Sequence, residues 1–490
     1  MAAPKKKASE FRPDPARWRI LVVLLVALFM SLVGVSIVNV ALPSIESSLK
    51  ATQSDIQWVL SGYALTFGVV LVSAGRAGDI LGRSGLFLFG TALFTLASIG
   101  AGLAPDAGSL NIARFVQGMG SGILSPQGIG MIQQYFRGAE RGRAFGYLGT
   151  VVGFSVAIGP VLGGLLIQLG GPALGWRLTF LINVPIGIVT IALGLRWFPR
   201  PLIGFLPSAG QTRLHRGLDL FRSLDPIGAC LLGVAVLSLL FPFVEFRTSP
   251  ATWLLLPAGL LLTYLWVLWE RRHARMGGSP MVDLNVFSIS SFANGVLIML
   301  MYFLGMTSVW VLVALYVQLG SGKTALETGL FGVPSALLSA YAAHWAGKRV
   351  TQYGRSIVIG GILLALLGLT LSMLVAFLHE KNLLNIWWLV LTLSFIGIAQ
   401  GLVISPNQAL TLTDVPLSYA GSSGAILQTG QRIGTSVGIA VITAATFAAL
   451  EFSGSWGIAV IVGFGVIALV VSATLVVAIK DLRDRGRSGS

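Results

Sequence analysis

The chain is a succession of long apolar segments separated by short polar or charged connections. Apolar stretches of about 20 residues are long enough for a helix to cross a hydrocarbon layer of about 30 Å. Fourteen segments can be placed, which predicts an all-α polytopic membrane protein. Their approximate bounds are 18–40, 56–76, 85–104, 108–135, 144–168, 178–197, 226–245, 252–269, 290–318, 327–346, 357–378, 385–405, 419–449 and 456–479.

Two of the charged connections have similar sequences. "GRAGDILGR" at 75–83 reappears in modified form as "GKRVTQYGR" at 347–355. An ungapped overlay of 51–83 on 323–355 pairs Thr52 with Thr324, Asp55 with Glu327, Gly75 with Gly347, Gly82 with Gly354 and Arg83 with Arg355. A weaker match pairs Ser155 and Gly159 with Gly434 and Gly438. The alternative is chance similarity between glycine-rich segments, but the matched topology favours a duplicated half.

The duplication predicts two six-helix bundles, formed by spans one to six and nine to fourteen, with two inserted helices between them. The expected divisions are a cytoplasmic tail at 1–17, a first bundle at 18–198, a cytoplasmic linker at 199–224, the inserted pair at 225–270, a second cytoplasmic linker at 271–285, a second bundle at 286–479 and a cytoplasmic tail at 480–490.

Composition excludes a soluble protein, because 55% of the residues are hydrophobic and only 10% are charged, against roughly 25% charged in soluble domains. A net charge of +15 would also suit a nucleic-acid partner. The Lys and Arg residues, however, cluster in alternate loops, as the positive-inside rule requires. We therefore expect no nucleic acid, a plasma (inner) membrane location with both termini cytoplasmic, and a monomer.

Enzymatic signals are missing from the sequence. No nucleophile–base pairing, metal-ligand spacing or phosphate-binding glycine loop is present, so we expect no catalytic residue, metal or cofactor. A membrane-embedded enzyme and a sensor with an output domain are therefore disfavoured, and so is a self-contained ATP-driven pump.

Five segments together resemble the major facilitator superfamily, specifically its fourteen-span drug:proton antiporters. "GRAGDILGR" is similar to the superfamily's connection between spans two and three, and "RFVQGMGSG" at 114–122 is similar to its span-four motif. "GFSVAIGPVLGG" at 153–164 resembles the antiporter motif of span five, apart from Ser155 in place of a glycine. "WRLTFLINVPIG" at 176–187 and "SIVNVALP" at 36–43 resemble the signatures of spans six and one.

The resemblance implies roles for these motifs. Arg114, with Gln117 one turn on, would take part in proton coupling; the alternative is a structural tether, since an Arg inside a span must find partners. The connection formed by Gly75, Asp79, Gly82 and Arg83 would stabilise one arrangement of the halves. The span-five face of Gly159, Pro160, Gly163 and Gly164 would seal the cavity from the cytoplasmic side.

The sequence departs from this family in span one. Gly34 stands where an Asp is usual, and no Asp or Glu lies deep in any span; Glu245, Glu270 and Glu327 lie near span ends. A neutral, zwitterionic, anionic or lipid-like substrate is therefore favoured over a permanently charged cation. Coupling by protons would have to use Asp79, Arg114 or a carboxylate near a span end.

Candidate substrate contacts centre on Arg432 in "QTGQRIGTS" of span thirteen. A polar stripe on a membrane helix usually faces a water-filled cavity, although a structural hydrogen-bond cluster is the alternative. The expected cavity residues are Asn39, Trp58, Tyr63, Gln400, Asn407, Gln428, Gln431 and Arg432.

These features predict a secondary active, multidrug-type exporter of hydrophobic or amphipathic compounds that works by alternating access. Its expected partners are the small-molecule substrate, protons and membrane lipid. The alternative is a lipid or lipid-like flippase on the same fold.

Overall fold

The structure is a computed structural model that describes residues 15–202, 224–244, 250–278 and 280–488. Fourteen α-helices lie within these residues, and each coincides with one predicted apolar segment. They are α1 Arg17–Leu49, α2 Gln53–Leu81, α3 Arg83–Gly102, α4 Ala107–Tyr135, α5 Gly138–Leu181, α6 Asn183–Trp197, α7 Pro226–Val244, α8 Leu255–Arg275, α9 Ser290–Leu315, α10 Ala325–Tyr353, α11 Arg355–Glu380, α12 Trp388–Thr411, α13 Ala420–Ser453 and α14 Trp456–Ser488. Non-helical backbone interrupts α5 at Gly171, where φ is 69°.

Within the described residues, eleven helices are long and apolar enough to cross a membrane. The hairpin helix α7 is apolar but shorter. Helices α4 and α10 have spanning length but lower hydropathy; α4, for example, buries Arg114, Gln117, Gln127 and Gln133 inside the bundle. These helices turn polar side chains toward protein neighbours, as membrane interiors require.

The duplicated segments have the same local structure. Thr52 caps α2 in a capping box with Asp55, and Thr324 caps α10 in the same way with Glu327. In both boxes the threonine amide donates to the acid at 2.9 Å. Each helix ends at a glycine with positive φ, 105° at Gly82 and 52° at Gly354, a conformation that side chains with a Cβ rarely adopt.

Helix packing repeats between the two halves of the chain. In the first half, α1 packs on α5 and α6, while α4 packs on α2 and α3. In the second half, α9 packs on α13 and α14, while α12 packs on α10 and α11. The halves meet through two main pairs, α2 with α13 and α5 with α10. In the duplicated arrangement α2 corresponds to α10 and α13 corresponds to α5. An approximate twofold axis between the halves therefore converts the α2–α13 pair into the α5–α10 pair.

The weaker sequence match also corresponds to equivalent packing. An added Cβ at Gly159 would meet Ser36, and one at Gly163 would lie 3.0 Å from Ile37, both on α1. Added Cβ atoms at Gly434 and Gly438 would meet the backbone of α9. Glycines therefore allow α5 to approach α1 as closely as α13 approaches α9.

The inserted hairpin lies beside the α2–α13 contact. Helix α7 packs on both α2 and α13, and Phe241 of α7 lies 6.1 Å from Trp58 of α2 between ring centroids. The hairpin therefore covers one edge where the two halves meet. Glu245, which follows α7 in the sequence, lies outside the described residues.

The expected division of the chain needs one correction. The tail predicted at 480–490 begins as part of α14, which continues to Ser488, and Asp481 is fully buried. Most of the predicted tail at 1–17 and linker at 199–224 lies outside the described residues.

Asp481 is buried because it pairs with Arg355. Arg355 Nε donates to Asp481 Oδ2 at 2.5 Å, and Asn294 donates to the other carboxylate oxygen at 2.9 Å. Arg355 also donates to Asn407, whose amide donates to the Gly295 carbonyl at 2.9 Å. The second half has Thr351 in place of Asp79, and α14 supplies the acid for its arginine instead. Asn407 was expected in the substrate cavity; it belongs to this buried network.

Replacing Asp481 by Asn should destabilise the fold, because it leaves the Arg355 guanidinium buried without its counter-charge. Removing one partner of a buried ion pair costs about 3–5 kcal/mol. The thermal unfolding midpoint of purified protein in detergent measures the change. Glu451→Gln is the matched control at an exposed position, and equal midpoints for the two variants would contradict the prediction.

Candidate substrate site

A cavity of about 260 Å³ lies between the two halves. We call it the central cavity; helices α1, α2, α3, α4 and α5 contribute from the first half and α9, α12 and α13 from the second. Its described lining contains no Asp or Glu and one Arg. The lining residues are Leu24, Leu25, Leu28, Ser31, Leu32, Val35, Tyr63, Phe67, Phe87, Leu124, Ser125, Gly128, Ile129, Ile132, Leu148, Val152, Phe303, Ile404, Gln408, Gln428, Gln431, Arg432 and Thr435.

Arg432 supplies the one charge of this cavity. Its guanidinium carbon lies 4.4 Å from the centroid of the Phe67 ring on α2. Among the described residues, no carboxylate forms an ion pair with it within 4.0 Å. A cation over an aromatic ring gains about 2 kcal/mol when desolvated, which offsets only part of its desolvation cost. The cavity therefore favours a solute that brings negative charge or acceptor groups to Arg432.

Three glutamine side chains give the cavity further polar groups. Gln428 Oε1 accepts a hydrogen bond from Ser125 Oγ at 2.8 Å, which joins α13 to α4 across the halves. Gln428 Nε2, Gln431 Nε2 and Gln408 Oε1 are buried without a hydrogen-bond partner in the described part of the chain. An unpaired buried polar atom costs about 1–3 kcal/mol, so a ligand that supplies partners gains affinity here.

Tyr63 connects the cavity wall to Arg114. The Tyr63 hydroxyl donates to Ser121 Oγ at 2.7 Å, and its ring stacks on Phe67 with centroids 6.3 Å apart. The Arg114 guanidinium carbon lies 4.5 Å from the Tyr63 centroid. Two stacked rings on α2 thus lie between Arg114 of α4 and Arg432 of α13.

Arg114 is held entirely by the first half. It is 1% exposed; its Nε donates to the Val59 carbonyl at 2.8 Å and its Nη1 to Gln117 Oε1 at 2.6 Å. Gln117 Nε2 donates in turn to Ser98 Oγ at 2.7 Å. Neither Arg114 nor Gln117 lines the central cavity, whereas Tyr63, against which Arg114 lies, does line it.

A second cavity of about 630 Å³ lies mainly between α5 and α10, with contributions from α1, α9 and α12. We call it the lateral cavity. Asn39 and Gln400 line it, as do Pro160 and Gly164 of the span-five motif. Its lining residues Val156, Val161 and Leu330 are about half exposed, at 52%, 59% and 49%. The lateral cavity is therefore lined in part by exposed side chains.

The two cavities share two lining residues. Val152 of α5 and Ile404 of α12 contribute to both. These aliphatic side chains lie on the boundary between the lateral cavity and the glutamine-rich wall of the central cavity.

Asp79 joins the two halves at one end of the bundle, which we call the basic end because the Arg-rich α2–α3 connection lies there. Asp79 Oδ1 accepts from Arg83 Nη2 at 2.7 Å and from the Gly421 amide at 2.8 Å. Asp79 Oδ2 accepts from the Ser422 amide at 2.9 Å and from its hydroxyl at 2.7 Å. A carboxylate is stabilised at the amino terminus of a helix, here α13. We call these residues the Asp79 cluster.

Gly75 allows α2 and α13 to approach closely enough for the Asp79 cluster to form. A Cβ added at Gly75 would lie 2.7 Å from the Gly421 carbonyl oxygen. Arg83 Nη2 also donates to the Leu417 carbonyl, just before α13, at 2.7 Å. The motif residues Gly75, Asp79 and Arg83 therefore all contact the other half of the protein.

A second contact between the halves, the α5–α10 seam, consists of small residues. Its members are Gly142, Gly146, Gly149 and Gly153 on α5 and Ala336, Ala340, Ala343 and Gly347 on α10. A Cβ added at Gly146 would lie 2.9 Å from Gly347 Cα. Both sets recur at i, i+4, i+7 and i+11, a small-residue pattern that favours close helix packing. Sequence reasoning missed this signal.

The sealing face predicted on span five therefore needs correction. Gly159 and Gly163 contact α1 of the same half, while Pro160 and Gly164 line the lateral cavity. The contact of α5 with the other half is made earlier in the helix, by Gly142 to Gly153.

Two further expectations change. Trp58 packs on Phe115 at 5.8 Å between ring centroids and lines neither cavity. Gly34 faces Phe94 and Asn183, which would lie 3.2 and 3.6 Å from an added Cβ. An acid at position 34 would therefore point into the first half, and the absence of negative charge in the central cavity follows from its own lining residues.

Comparison with known proteins gives a consistent result. The model of the Major Facilitator Superfamily matches residues 24–439. The "Probable actinorhodin transporter" of Streptomyces coelicolor is 32% identical over 434 residues, which cover 88% of this chain and 72% of that protein. The "Puromycin resistance protein pur8" of Streptomyces alboniger is 28% identical over 502 residues, which cover 98% of this chain and 95% of that protein.

Solved structures agree on the fold. The human organic anion transporter MFSD10 (TETRAN) superimposes with a TM-score of 0.66 at 13% sequence identity, covering 95% of this chain and 100% of that one. The likeness confirms the predicted all-helical major facilitator fold.

Replacing Gly146 by Leu should separate α5 from α10 at the basic end, because the new side chain overlaps Gly347. Overpacking costs about 1–3 kcal/mol, which would shift the equilibrium between packed and separated arrangements of α5 and α10 by about 5- to 150-fold. Pulsed electron paramagnetic resonance between spin labels at Arg143→Cys and Lys348→Cys, with Cys230 replaced by Ala, measures the separation.

Gly360→Leu is the control for this variant, because an added Cβ at Gly360 meets open space. A Gly146→Leu distance distribution identical to that of Gly360→Leu would show that the seam does not hold the halves together.

Proposed function

Because the chain belongs to the Major Facilitator Superfamily, we propose that it is a secondary active exporter of small amphipathic compounds. It is a multi-pass membrane transporter and not an enzyme. The names of relatives, one a probable actinorhodin transporter and one a puromycin resistance protein, support export of antibiotic-like molecules. The resemblance to fourteen-span drug:proton antiporters supports proton antiport as the energy source.

The observation that carries this proposal is the central cavity. It lies between the halves, has a mainly aliphatic and aromatic lining, and presents Arg432 with the unpaired amide groups of Gln428, Gln431 and Gln408. Such a lining accommodates an apolar body and orients a few polar groups, as ligand pockets generally do. With no acid in its described lining, it fits neutral or anionic amphiphiles better than cations.

Alternating access is supported by where the halves touch. The Asp79 cluster joins α2 to α13 and the α5–α10 seam joins the other pair, both in the part of the helices nearest the basic end. Nearer the opposite end, the lateral cavity separates α5 from α10. Opening the basic end therefore requires breaking the Asp79 cluster and sliding apart two rows of small residues, which is a two-state rearrangement.

We assign the basic end to the cytoplasm, because clustered Lys and Arg residues remain on that side of the membrane. All fourteen helices then span the plasma membrane, both termini are cytoplasmic, and the described conformation is closed toward the cytoplasm. A protein that exports compounds would release them from this form.

Helix α2 connects solute binding in the central cavity to Arg114. Arg432 lies over Phe67, Phe67 stacks on Tyr63, and Arg114 lies against Tyr63. A solute that draws Arg432 away from Phe67 removes one partner from this stack and alters the surroundings of Arg114. Arg114 acts here as a positioning residue, held by Val59 and Gln117, and not as a ligand of the solute.

The second candidate is a lipid or lipid-like flippase, favoured by the lateral cavity. This cavity is lined in part by exposed side chains and combines the amide groups of Asn39 and Gln400 with aliphatic neighbours. A lipid with a polar headgroup fits that arrangement. Proteoliposomes containing fluorescent phospholipid distinguish the candidates: accelerated lipid transfer between leaflets without export of soluble amphiphiles would favour the flippase.

Replacing Arg432 by Gln should reduce transport of an anionic amphiphile while leaving a neutral analogue of the same size nearly unchanged. Losing a charge-assisted contact of about 1.5–3 kcal/mol corresponds to roughly a 10- to 150-fold loss in apparent affinity. Efflux from proteoliposomes loaded with each compound measures the difference.

Arg349→Gln is the matched control, because Arg349 also lies over an aromatic ring, 4.6 Å from Trp345, but lines neither cavity. Equal losses for anionic and neutral compounds would refute charge recognition by Arg432. Strong efflux of dicationic dyes by the unmodified protein would exclude the proposed substrate preference.

An imposed pH gradient should accelerate export by the unmodified protein, because antiport exchanges an inward proton for an outward solute. The measurement is solute efflux from proteoliposomes with and without the gradient, with a proton ionophore as control. Export that is equally fast in both conditions would show that protons do not drive it.

A further inference from the structure

Two buried carboxylates converge in the inserted hairpin. Asp225 immediately precedes α7, and Glu270 lies near the end of α8; each is 1% exposed. A Cβ added at Gly228 would meet Asp225 Oδ2 and would lie 3.0 Å from Glu270 Oε1. The two acids therefore face the same small space, which the missing side chain of Gly228 leaves open.

The two acids differ in how they are stabilised. Asp225 Oδ1 accepts from the Gly228 amide at 3.0 Å, and both of its oxygens accept from Trp269 Nε1, at 3.0 and 3.1 Å. Both Glu270 oxygens are buried without a hydrogen-bond partner within 3.5 Å in the described ranges; the Met281 and Val282 amides and the Trp266 indole interact with this carboxyl group only outside that geometry. Asp225 thus has the environment of a carboxylate, whereas Glu270 has the environment of a neutral carboxyl group.

No described cation neutralises the pair. The other charged and titratable groups on the elements around it are Asp55, Tyr63, Arg76 and Asp79 on α2, Cys230 on α7, Tyr264, Arg271, Arg272, His273 and Arg275 on α8, Asp283 in the following connection, and Arg432 and Glu451 on α13. None of them forms an ion pair within 4.0 Å with Asp225 or Glu270 in the described residues. Two adjacent buried carboxylates with no counter-ion among the described residues cannot both ionise at low cost there.

We propose that Asp225 and Glu270 together bind one proton, and that release of this proton loosens the α7–α8 hairpin from α2 and α13. The proton occupies a carboxyl oxygen of Glu270 and leaves to water at the basic end, where the neighbouring Arg271 and Arg272 are exposed. This inference rests on the proposed proton antiport and names the site that couples to it.

The site is connected to the substrate cavity by direct packing. Trp266, one turn before Glu270, belongs to an apolar cluster with Phe67 and Leu71 of α2 and Ala425 of α13. Phe67 is the ring over which Arg432 lies. Ionised Glu270 needs hydration, which this cluster cannot supply. Deprotonation therefore disfavours the cluster that holds the hairpin, α2 and α13 together and supports Phe67.

Infrared difference spectroscopy of the purified full chain during a pH titration tests proton binding without any transport assay. The unmodified protein should show a protonated-carboxyl band that disappears as the pH is raised. Glu270→Gln should remove that band, and Glu451→Gln, at an exposed position, should retain it. A band that persists in both Glu270→Gln and Asp225→Asn would overturn the proposal.

Transport then separates this proposal from the proposed function. Glu270→Gln imitates the protonated form and should lose stimulation by a pH gradient while still exchanging internal for external solute without one. Loss of both activities in Glu270→Gln and in Asp225→Asn, in protein that remains folded, would indicate a structural role and overturn the inference.

Transport by the unmodified protein distinguishes failure of the proposed proton site from failure of the proposed proton antiport. If its export responds to the gradient and the responses of Glu270→Gln and Asp225→Asn are equally large, the coupling site lies elsewhere. If the unmodified protein exports with no response to the gradient, proton antiport itself is refuted, whereas the infrared titration still reports whether the pair binds a proton.

Discussion

Every charged side chain inside this bundle must find compensating protein groups, because an apolar interior does not solvate it. Arg355 forms an ion pair with Asp481. Asp79 forms an ion pair with Arg83 and accepts a hydrogen bond from the backbone at the start of α13. Arg114 has the Tyr63 ring, the Val59 carbonyl and Gln117 instead, and Arg432 has the Phe67 ring. The ion-paired groups hold the structure together, whereas Arg432 has no ion pair among the described residues and is available to a solute. The charged residue that lines the central cavity is thus the one whose charge is least compensated by the protein.

The same requirement explains the difference between the duplicated halves. Both copies keep the glycine and arginine that end the connection after the second helix, at Gly82–Arg83 and Gly354–Arg355. The first arginine is paired at the interface between halves, and the second is paired inside its own half by α14. The duplicated segments contain two equivalent cations, and their different partners place one connection at the interface between the halves and the other inside the second half.

Local features could be predicted from the sequence, and tertiary partners could not. The capping boxes at Thr52 and Thr324 and the Arg114–Gln117 pair involve residues three positions apart, so one helix contains the whole signal. The pairing of Arg355 with Asp481 joins positions 126 residues apart. The face of α5 that meets α10 was misassigned because α5 carries glycines on more than one side, and only the neighbouring helices determine which set meets the other half.

The two residues that line both cavities bear on the size of the compound that the protein could transport. Val152 and Ile404 belong to α5 and α12, and α5 also forms the α5–α10 seam. In the proposed transport cycle α5 moves and the boundary between the two cavities moves with it, which would let a long, slender amphiphile keep its headgroup near Arg432 while its chain extends through the lateral cavity. On that proposal, the bulk of the Val152 and Ile404 side chains, and not an additional polar contact, would limit the width of the transported molecule.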